Sequence, residues 1–220
     1  MDYQHRFLDG STADLPLGKI VCVGRNYAAH AKELNNPIPT EPMLFIKPAS
    51  SVVPMSAPFA LPQNLGVTHF ETEMSILIGK RLQNASEEEA RTAILGVGLA
   101  LDLTLRELQD KLKEKGHPWE KAKSFDGACP LSDFVSPERI SDLQDVKLTL
   151  TVNGELRQNG NSADMLTPVL KLLSYSSQFF TLQPGDVVLT GTPAGVGPVH
   201  SGDKLEVTLN DLLSIQTSAC

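Results

Sequence analysis

Residues 66–80 read GVTHFETEMSILIGK, and this stretch predicts the strand around which the rest of the chain is organised. Successive side chains of a strand point to opposite faces of a sheet, so residues two apart share a face. The apolar face would carry Phe70, Met74, Ile76 and Ile78. The opposite face would carry His69, Glu71 and Glu73. The pattern therefore predicts a strand with one apolar face and one face that holds two carboxylates.

The carboxylate face has two interpretations, an ordinary wet surface or a cation site. Cα atoms two residues apart in a strand are separated by roughly 6.5–7 Å, and like charges at that spacing are unfavourable without a positive group between them. Leu77 shares this face, so the face is not simply solvent-exposed. A third carboxylate, Asp102, lies within the apolar run 94–105 (ILGVGLALDLTL), where a buried charge needs a partner or a metal. Three oxygen ligands predict Mg²⁺ or Mn²⁺.

Charge and cysteine usage exclude several classes of protein. The chain has 220 residues and a formal net charge of −7, which disfavours binding to nucleic acid or to anionic membranes. No apolar run approaches the ~18 residues that cross a bilayer, and the first ten residues do not resemble a secretory signal. The scattered cysteines, Cys22, Cys129 and Cys220, contain no CxxC pair, which is typical of a reducing compartment. We therefore expect a cytoplasmic protein.

The predicted elements are mixed in order, and strands are in the majority. Besides 66–80, the patterns predict strands at 19–23, 43–47, 146–152, 155–158, 187–190, 205–209 and 212–217. Helices are predicted at 27–34, 86–95, 105–115 and 168–180, with a short β-rich or irregular arm at 1–18 and a loop at 119–130. No repeat or linker composition divides the chain. We expect an α+β, mainly β fold with one domain over residues 1–220.

Side-chain caps are predicted at the beginnings of these helices. An N-cap side chain satisfies backbone N–H groups of the first turn that have no partner in the helix. The predicted caps are Asn26, the capping boxes Ser86 with Glu89 and Thr104 with Glu107, and Thr167 followed by Pro168 at the first helical position.

Two pairs of polar residues lie three apart on predicted helices, so each pair would share a face. His30 and Glu33 form one pair, and a carboxylate beside an imidazole raises its basicity and fixes its tautomer, as in a general base. The alternative is the exposed face of a surface helix, although the flanking Pro and Asn residues favour a mobile lid. Arg106 and Gln109 form the other pair, near Asp102, where a helix N-terminus would receive an anion. A solvated face is the alternative there too.

Two loops complete the candidate set. Lys123 lies in the predicted loop 119–130, where the residues alone give no reason to prefer it to Lys121. Residues 189–198 read LTGTPAGVGP, and their glycines would let backbone N–H groups approach a ligand oxygen closely. This loop has neither a Walker A lysine nor a GxGxxG pattern. It is either a turn-rich connection or, with the hydroxyl of Thr192, a cradle for a carboxylate.

Six motifs follow one another along the chain. They are GRNYAAHAKE at 24–33, FETEMSILIGK at 70–80, DLTLRELQ at 102–109, KSFDGACPL at 123–131, NGELRQNGNSADM at 153–165 and PGDVVLTGTPAGVG at 184–197. Together they resemble the fumarylacetoacetate hydrolase family, specifically its short acylpyruvase and oxaloacetate decarboxylase branch, over about residues 18–210. Ser132 departs from the glycine common in that branch, and we expect no catalytic consequence. The resemblance implies a mixed β-roll with a short lid helix, a homodimer, and Mg²⁺ or Mn²⁺.

The resemblance also implies a role for each candidate residue. The implied metal ligands are Glu71, Glu73 and Asp102, the implied catalytic residues are His30, Glu33 and Lys123, and the implied substrate-binding residues are Arg25, Arg106, Gln109 and Thr192. The ligand set agrees with the strand pattern. Lys123, which composition did not single out, would contact a substrate carboxylate or an oxyanion.

The activity implied by the resemblance is cleavage of the C–C bond of an acylpyruvate to pyruvate and a carboxylic acid. The substrate, a small 2-oxo acid, would chelate the metal, and His30 with Glu33 would activate water. Because the leaving group is the enolate of pyruvate, the same site would also decarboxylate oxaloacetate. Two alternatives on the same scaffold are a 2-hydroxyhepta-2,4-diene-1,7-dioate isomerase or decarboxylase and an oxaloacetate keto–enol tautomerase. A non-catalytic metal-binding protein is disfavoured by the intact pair and triad.

Overall fold

The computed structural model describes residues 3–220, in which strands predominate over helices. The strands are β1 (Ile20–Gly24), β2 (Met43–Lys47), β3 (Val52–Pro54), β4 (Thr68–Phe70), β5 (Thr72–Ile78), β6 (Ile94–Leu101), β7 (Thr104–Leu105), β8 (Cys129–Leu131), β9 (Lys147–Val152), β10 (Glu155–Asn161), β11 (Val187–Leu189), β12 (Gly197–Val199), β13 (Lys204–Leu209) and β14 (Leu213–Ser218). The helices are α1 (Ala28–Glu33), α2 (Glu87–Ala93), α3 (Arg106–Glu114), α4 (Glu120–Lys123) and α5 (Val169–Phe179).

These strands form three sheets. Seven strands in the order β2-β1-β11-β5-β6-β8-β3 form the largest sheet, β10-β9-β13-β14 form a second, and β12-β4-β7 form a third. The pairs β1–β11 and β3–β8 are parallel, and the other pairs are antiparallel. The predicted α+β, mainly β class is confirmed. Within residues 3–220, no helix combines the length and apolar character needed to cross a bilayer.

Strand β5 lies at the centre of the largest sheet, and all seven of its residues are buried. Met74, Ile76 and Ile78 join the larger apolar cluster, as the period-two pattern predicted. Leu77, on the opposite face, joins a second apolar cluster that includes Cys22. The sheet is therefore covered on both sides, which is why the carboxylates of β5 are not on a wet surface.

The prediction of one continuous strand over 66–80 was wrong, because the chain leaves the ladder at Glu71. Before this residue, β4 pairs with β7 and β12. After it, β5 pairs with β6 and β11. The alternation of side chains continues across the break, but the hydrogen-bond partners change from one sheet to another. The backbone oxygen of Glu71 instead accepts the N–H of Asp102, at 2.8 Å.

Of the predicted helix caps, only the capping box at α2 is confirmed. Ser86 Oγ accepts the N–H of Glu89 at 3.2 Å, and Glu89 Oε2 accepts the N–H of Ser86 at 2.8 Å. Thr104 does not cap α3, since its hydroxyl donates to the backbone oxygen of Asp102 at 3.1 Å. At α5, the N-cap position is occupied by Pro168, one residue later than the predicted Thr167.

Asn26 does not cap α1 either, because distant backbone groups compete for its side chain. Its Nδ2 donates to the oxygens of Thr190 at 2.8 Å and Thr167 at 3.0 Å, and its Oδ1 accepts the N–H of Thr167 at 2.8 Å. The N-cap residue of α1 is Tyr27, which makes no side-chain cap. Asn26 therefore ties the beginning of α1 to two segments more than 140 residues away.

The predicted loop 119–130 contains two short elements, α4 and β8, so that prediction was wrong. Lys123 is the last residue of α4 and is buried, whereas Lys121 is exposed. The hydroxyl of Ser124 donates to the backbone oxygen of Ile46 at 2.9 Å and attaches the end of α4 to β2. The fold thus selects Lys123 over Lys121 by turning one side chain inward.

The described part of the N-terminal arm, residues 3–18, has no strand beyond isolated β-bridges at Arg6, Phe7 and Thr12, and it is anchored by a buried histidine. His5 is fully buried, and its Nε2 lies 3.0 Å from the backbone oxygen of Gly185. The rings of Tyr3 and Phe134 contact it edge-on. Burial lowers the pKa of His5 despite this hydrogen bond, so the side chain is held neutral.

Candidate metal centre and active site

Three buried carboxylates meet where two neighbouring strands end their ladders. Glu71 lies in the break between β4 and β5, Glu73 lies on β5, and Asp102 directly follows β6. The register pairs Glu73 with Ala100, two residues before Asp102. Each residue offers a carboxylate oxygen within 4.8 Å of the other two, and none is more than 4% exposed. The structure therefore brings together the three residues that the sequence predicted as metal ligands.

Cations surround two of these three carboxylates. Lys123 Nζ lies 2.8 Å from Glu71 Oε2 and 2.7 Å from Asp102 Oδ2. Arg106 donates to Glu71 Oε1, and it also donates to Gln109 Oε1 at 2.7 Å. Lys47 Nζ lies 2.8 Å from Asp102 Oδ1. Glu73 makes no ion pair with any residue from 3 to 220, and its Oε2 accepts the N–H of Gly191 at 2.6 Å.

The pKa of a carboxyl in this triad depends on whether a cation pairs with it. Burial raises the pKa of the Glu73 carboxyl well above its usual value, and the charges of Asp102 and Glu71 raise it further. Burial has the same tendency at Glu71, but Lys123 and Arg106 outweigh it and lower the pKa of that carboxyl. For Lys123, burial would lower the pKa, but the two carboxylates raise it. One carboxyl of the triad therefore lacks a positive partner.

A divalent cation fits this donor set. Three carboxylate oxygens are hard ligands of the kind that Mg²⁺ and Mn²⁺ prefer. A bound cation would supply the positive charge that Glu73 lacks and would reverse the rise of its pKa. Glu71, Glu73 and Asp102 are therefore the residues that would hold the ion.

Helix α1 covers the cleft above the triad. His30 is 5% exposed, and burial lowers its pKa although Glu71 and Glu33 have the opposite effect. Its Nδ1 lies 3.5 Å from Glu33 Oε2, so the predicted pair is in contact. The interpretation of this helix as a solvated surface fails for His30, which is a buried and neutral imidazole. Glu33 is exposed and does not line the cleft.

The other predicted residues line the same cleft. Arg25, His30, Lys123, Arg106, Gln109 and Thr192 surround the triad, so nine of the ten candidates meet in one place. Sequence reasoning missed an aromatic wall formed by Phe45 and Trp119, which lie beneath Lys123 and Lys113 at 5.2 Å and 5.9 Å from Nζ to ring centroid. No local pattern marks these rings, since β2 reads as an ordinary apolar strand.

The glycine loop after β11 does receive carboxylates, but they belong to this chain. The N–H of Gly191 donates to Glu73, and the N–H of Gly195 donates to both carboxylate oxygens of Glu33, at 3.0 and 3.2 Å. The interpretation of this loop as a cradle for a ligand was therefore wrong for these two amides. Thr192 Oγ1 accepts from Gln158 Nε2 at 2.8 Å and donates to the backbone oxygen of Pro193 at 3.5 Å, a long contact that a ligand oxygen could replace.

Arg25 stands apart from the other cations of the cleft. Its backbone has a φ of +59°, an uncommon conformation for a residue with a side chain. No ion pair or hydrogen bond engages its guanidinium anywhere in the described chain. Arg25 also lines a neighbouring cleft with Lys171 and Tyr175 of α5. Strained backbone at such a place indicates a functional position.

Comparisons with known proteins agree with this site. The family model for the fumarylacetoacetate (FAA) hydrolase C-terminal domain matches residues 19–218. The oxaloacetate tautomerase YcgM of Escherichia coli K12 is 52% identical over 209 residues, which cover 94% of this chain and 95% of that protein. A family protein from Yersinia pestis has a solved structure with a TM-score of 0.97 and 50% identity, covering 99% of this chain and all of that one.

A more distant solved structure is the fumarylpyruvate hydrolase of Pseudomonas aeruginosa in complex with Mn²⁺ and pyruvate. It has a TM-score of 0.92 and 34% identity, covering 99% of this chain and 95% of that chain. The family match spans almost the whole chain, and both the E. coli tautomerase and the Y. pestis protein are at least 50% identical to it. This chain belongs to the fumarylacetoacetate hydrolase family.

Proposed function

We propose that this protein is a divalent-metal-dependent oxaloacetate keto–enol tautomerase. The observation that carries the proposal is the buried, neutral His30 that faces three carboxylates in a cleft covered by α1. Enolisation of a 2-oxo acid needs one base at C3 and stabilisation of negative charge on the C2 oxygen. The similarity to the tautomerase of E. coli supports this activity over the acylpyruvate hydrolysis implied by the sequence motifs.

The charge of the site supports a substrate with two carboxylates. The three carboxylates of the triad are matched by the three cations Lys47, Lys123 and Arg106. A divalent ion in the triad would leave an excess of two positive charges, and Arg25 adds a third at the edge of the cleft. Oxaloacetate is a dianion at neutral pH, whereas acetylpyruvate carries one carboxylate. Buried charge needs compensation, so the site favours the dianion.

The chemistry supplied by a cation held by Glu71, Glu73 and Asp102 would be polarisation of the 2-oxo group, which acidifies C3. Conversion of the keto form to the enol moves a proton from C3 to the C2 oxygen: neutral His30 accepts the C3 proton on its free ring nitrogen, the C2 oxygen takes a proton from water, and His30 returns its proton to water. The enol-to-keto direction reverses these transfers. Glu33, 3.5 Å from Nδ1, orients the ring and stabilises its protonated form.

The remaining residues bind and orient the substrate. Two of the three ammonium hydrogens of Lys123 are used by Glu71 and Asp102, so the third can donate to the C2 oxygen. Arg106 is held by Glu71 and Gln109, whereas Arg25 has no partner among the described residues. We assign Arg25 to the C4 carboxylate, and Thr192, whose hydroxyl donates only through a long contact with the Pro193 oxygen, to the C1 carboxylate.

The test follows the loss of enol absorbance when enol-oxaloacetate is added to chelator-stripped protein, before and after addition of Mg²⁺ or Mn²⁺. Metal-dependent acceleration over the buffer rate is expected. No acceleration by protein that binds the metal would refute the tautomerase proposal. Comparison of the two ions at equal occupancy would identify the better cofactor.

Acylpyruvate hydrolysis is the second candidate activity, favoured by the likeness to the fumarylpyruvate hydrolase of P. aeruginosa. Pyruvate release from acetylpyruvate and from oxaloacetate, measured on the same preparations, separates hydrolysis and decarboxylation from tautomerisation. Hydrolysis that outpaces tautomerisation would reverse the order of the two candidates. We also propose that the chain is one catalytic domain that acts as a homodimer, which light scattering after gel filtration would test.

A further inference from the structure

Lys47 is a charged side chain that is completely buried beneath the metal centre. It is the last residue of β2, has 0% exposure, and is one of the largest fully buried side chains of the described chain. Lysines almost never reach this burial unless their ammonium group is fully paired. Its position behind the triad, away from the cleft lining, excludes direct contact with a substrate.

The three hydrogens of this ammonium are taken by three backbone oxygens. Lys47 Nζ donates to the oxygens of Ala128 at 3.0 Å, Leu103 at 3.4 Å and Lys123. Leu103 directly follows Asp102, and Lys123 is the cation that bridges Glu71 and Asp102. The oxygen of Ala128 also accepts the N–H of Leu103 at 3.0 Å, so these segments are joined at one point.

The charge of Lys47 has a separate partner. Asp102 Oδ1 lies 2.8 Å from Nζ but outside hydrogen-bond alignment, so charge alone attracts the two groups. The other oxygen, Oδ2, accepts from Lys123. The carboxylate of Asp102 is therefore held between two lysines, and one of these lysines holds the backbone of the other.

We infer that Lys47 is a positioning residue of the metal centre, which fixes the backbone and carboxylate of Asp102 and the backbone of Lys123 for ion binding. This inference rests on the proposed metal site. Groups that support metal ligands commonly contribute 10–100-fold to metal affinity. The backbone hydrogen bonds explain why a lysine, with three donors on a long stem, occupies this place instead of an apolar residue.

Whether removal of Lys47 weakens or tightens Mn²⁺ binding distinguishes a positioning role from simple electrostatic repulsion of the ion. If Lys47 acted only as a nearby positive charge, its removal would reduce repulsion and tighten Mn²⁺ binding. If it only stabilised the fold, the affinity of the folded protein for Mn²⁺ would not change. Positioning predicts the third result, which is weaker binding by folded protein.

The experiment measures Mn²⁺ dissociation constants by calorimetry, and thermal unfolding without metal, for wild type, Lys47→Met and Lys19→Met. Lys19 is the control, because it also has both an ion pair, with Asp186, and a hydrogen bond to a backbone oxygen, that of Thr181. It directly precedes β1, the strand next to β2, and does not line the cleft. We expect a dissociation constant raised about 10–100-fold in Lys47→Met and unchanged in Lys19→Met. Lys47→Gln keeps two donors and is measured if Lys47→Met does not fold.

Unchanged or tighter Mn²⁺ binding by folded Lys47→Met would overturn the inference while the metal centre stands. Failure of both Lys47 variants to fold, with Lys19→Met folded, would make Lys47 a requirement for folding and would also overturn it. If the wild-type protein bound no Mn²⁺, the proposed metal centre would fail first, and the inference with it.

Discussion

Replacing Glu73 by glutamine should have opposite effects on the metal-free and metal-bound protein. Glu73→Gln removes one of three buried negative charges and preserves the shape of the side chain. The amide oxygen can still accept the N–H of Gly191, and the new NH₂ group can donate to the neighbouring carboxylates. The metal-free variant should therefore be more stable than metal-free wild type, while its stabilisation by Mn²⁺ should be lost.

The size of the effect follows from the geometry of the triad. Carboxylate oxygens of the triad lie within 4.8 Å of one another, and two unit charges at that upper limit repel by about 3 kcal/mol at an effective dielectric constant of about 20. Protonation limits this cost in the metal-free protein, because Glu73 can take up a proton instead, at a cost of about 3 kcal/mol at pH 7 relative to its usual pKa of 4.5. Whether Glu73 stays charged or is protonated, the metal-free wild type therefore loses about 3 kcal/mol of stability that Glu73→Gln does not lose. A difference of this size makes the melting temperature of the variant higher by roughly 6–12 °C for a chain of this length.

The pH dependence of stability is a second test of whether metal-free Glu73→Gln is more stable than metal-free wild type. Because the pKa of Glu73 is higher in the folded protein, folded wild type holds a proton that the unfolded chain has released. Metal-free wild type should therefore lose stability as pH rises from 4.5 towards neutrality, and the advantage of the variant should grow over the same range.

Differential scanning calorimetry of both proteins, with chelator and with saturating Mn²⁺, measures these effects. Glu73→Asp is a control that retains the charge with a shorter stem. A metal-free Glu73→Gln protein that melts below wild type would refute the reasoning on buried repulsion. Equal Mn²⁺-induced shifts in the two proteins would refute the assignment of Glu73 as a ligand.

Three further predictions concern single histidine and arginine side chains. His30→Ala should slow tautomerisation by about 10²-fold at saturating metal, as expected for loss of a general base, and an unchanged rate would remove His30 from the proposed mechanism. Arg25→Gln should raise KM for oxaloacetate about tenfold, as expected for a lost charged hydrogen bond, and should leave KM for acetylpyruvate unchanged; equal changes for both substrates would refute its assignment to the C4 carboxylate. His5→Gln should lessen the loss of stability on acidification below about pH 6.5, because neutral His5 must otherwise be protonated on unfolding. Parallel stability curves for wild type and His5→Gln between pH 5 and 7 would contradict that expectation.

The three carboxylates of the proposed metal centre were predictable because local signals mark each of them. Glu71 and Glu73 share a face in a period-two pattern, and Asp102 interrupts an apolar run. The break of the strand at Glu71 was not predictable, because alternation continues across it while the pairing changes from β7 and β12 to β6 and β11. A pattern of side chains does not report which strand accepts the backbone hydrogen bonds.

The errors at helix ends, and the burial of Lys47 that no local pattern predicts, also come from distant partners. Asn26 has good local cap chemistry, but Thr167 and Thr190 offer three hydrogen bonds to its side chain. Lys47 ends an apolar strand before a proline, where a lysine ordinarily reaches solvent. Its burial depends on three carbonyl groups supplied by segments 56 to 81 residues away.

The two ends of α1 are attached with unequal strength, which has a consequence for how fast ligands enter and leave. The side chain of Asn26 fixes the first end by three hydrogen bonds to two segments. The contact of Glu33 with the N–H of Gly195 holds the other end. A charged hydrogen bond contributes about 1.5–3 kcal/mol, and a six-residue helix adds little stability of its own. Because this contact is exposed and therefore weaker still, we expect the Glu33 end to be released far more often than the Asn26 end, so that ligand exchange proceeds without global unfolding.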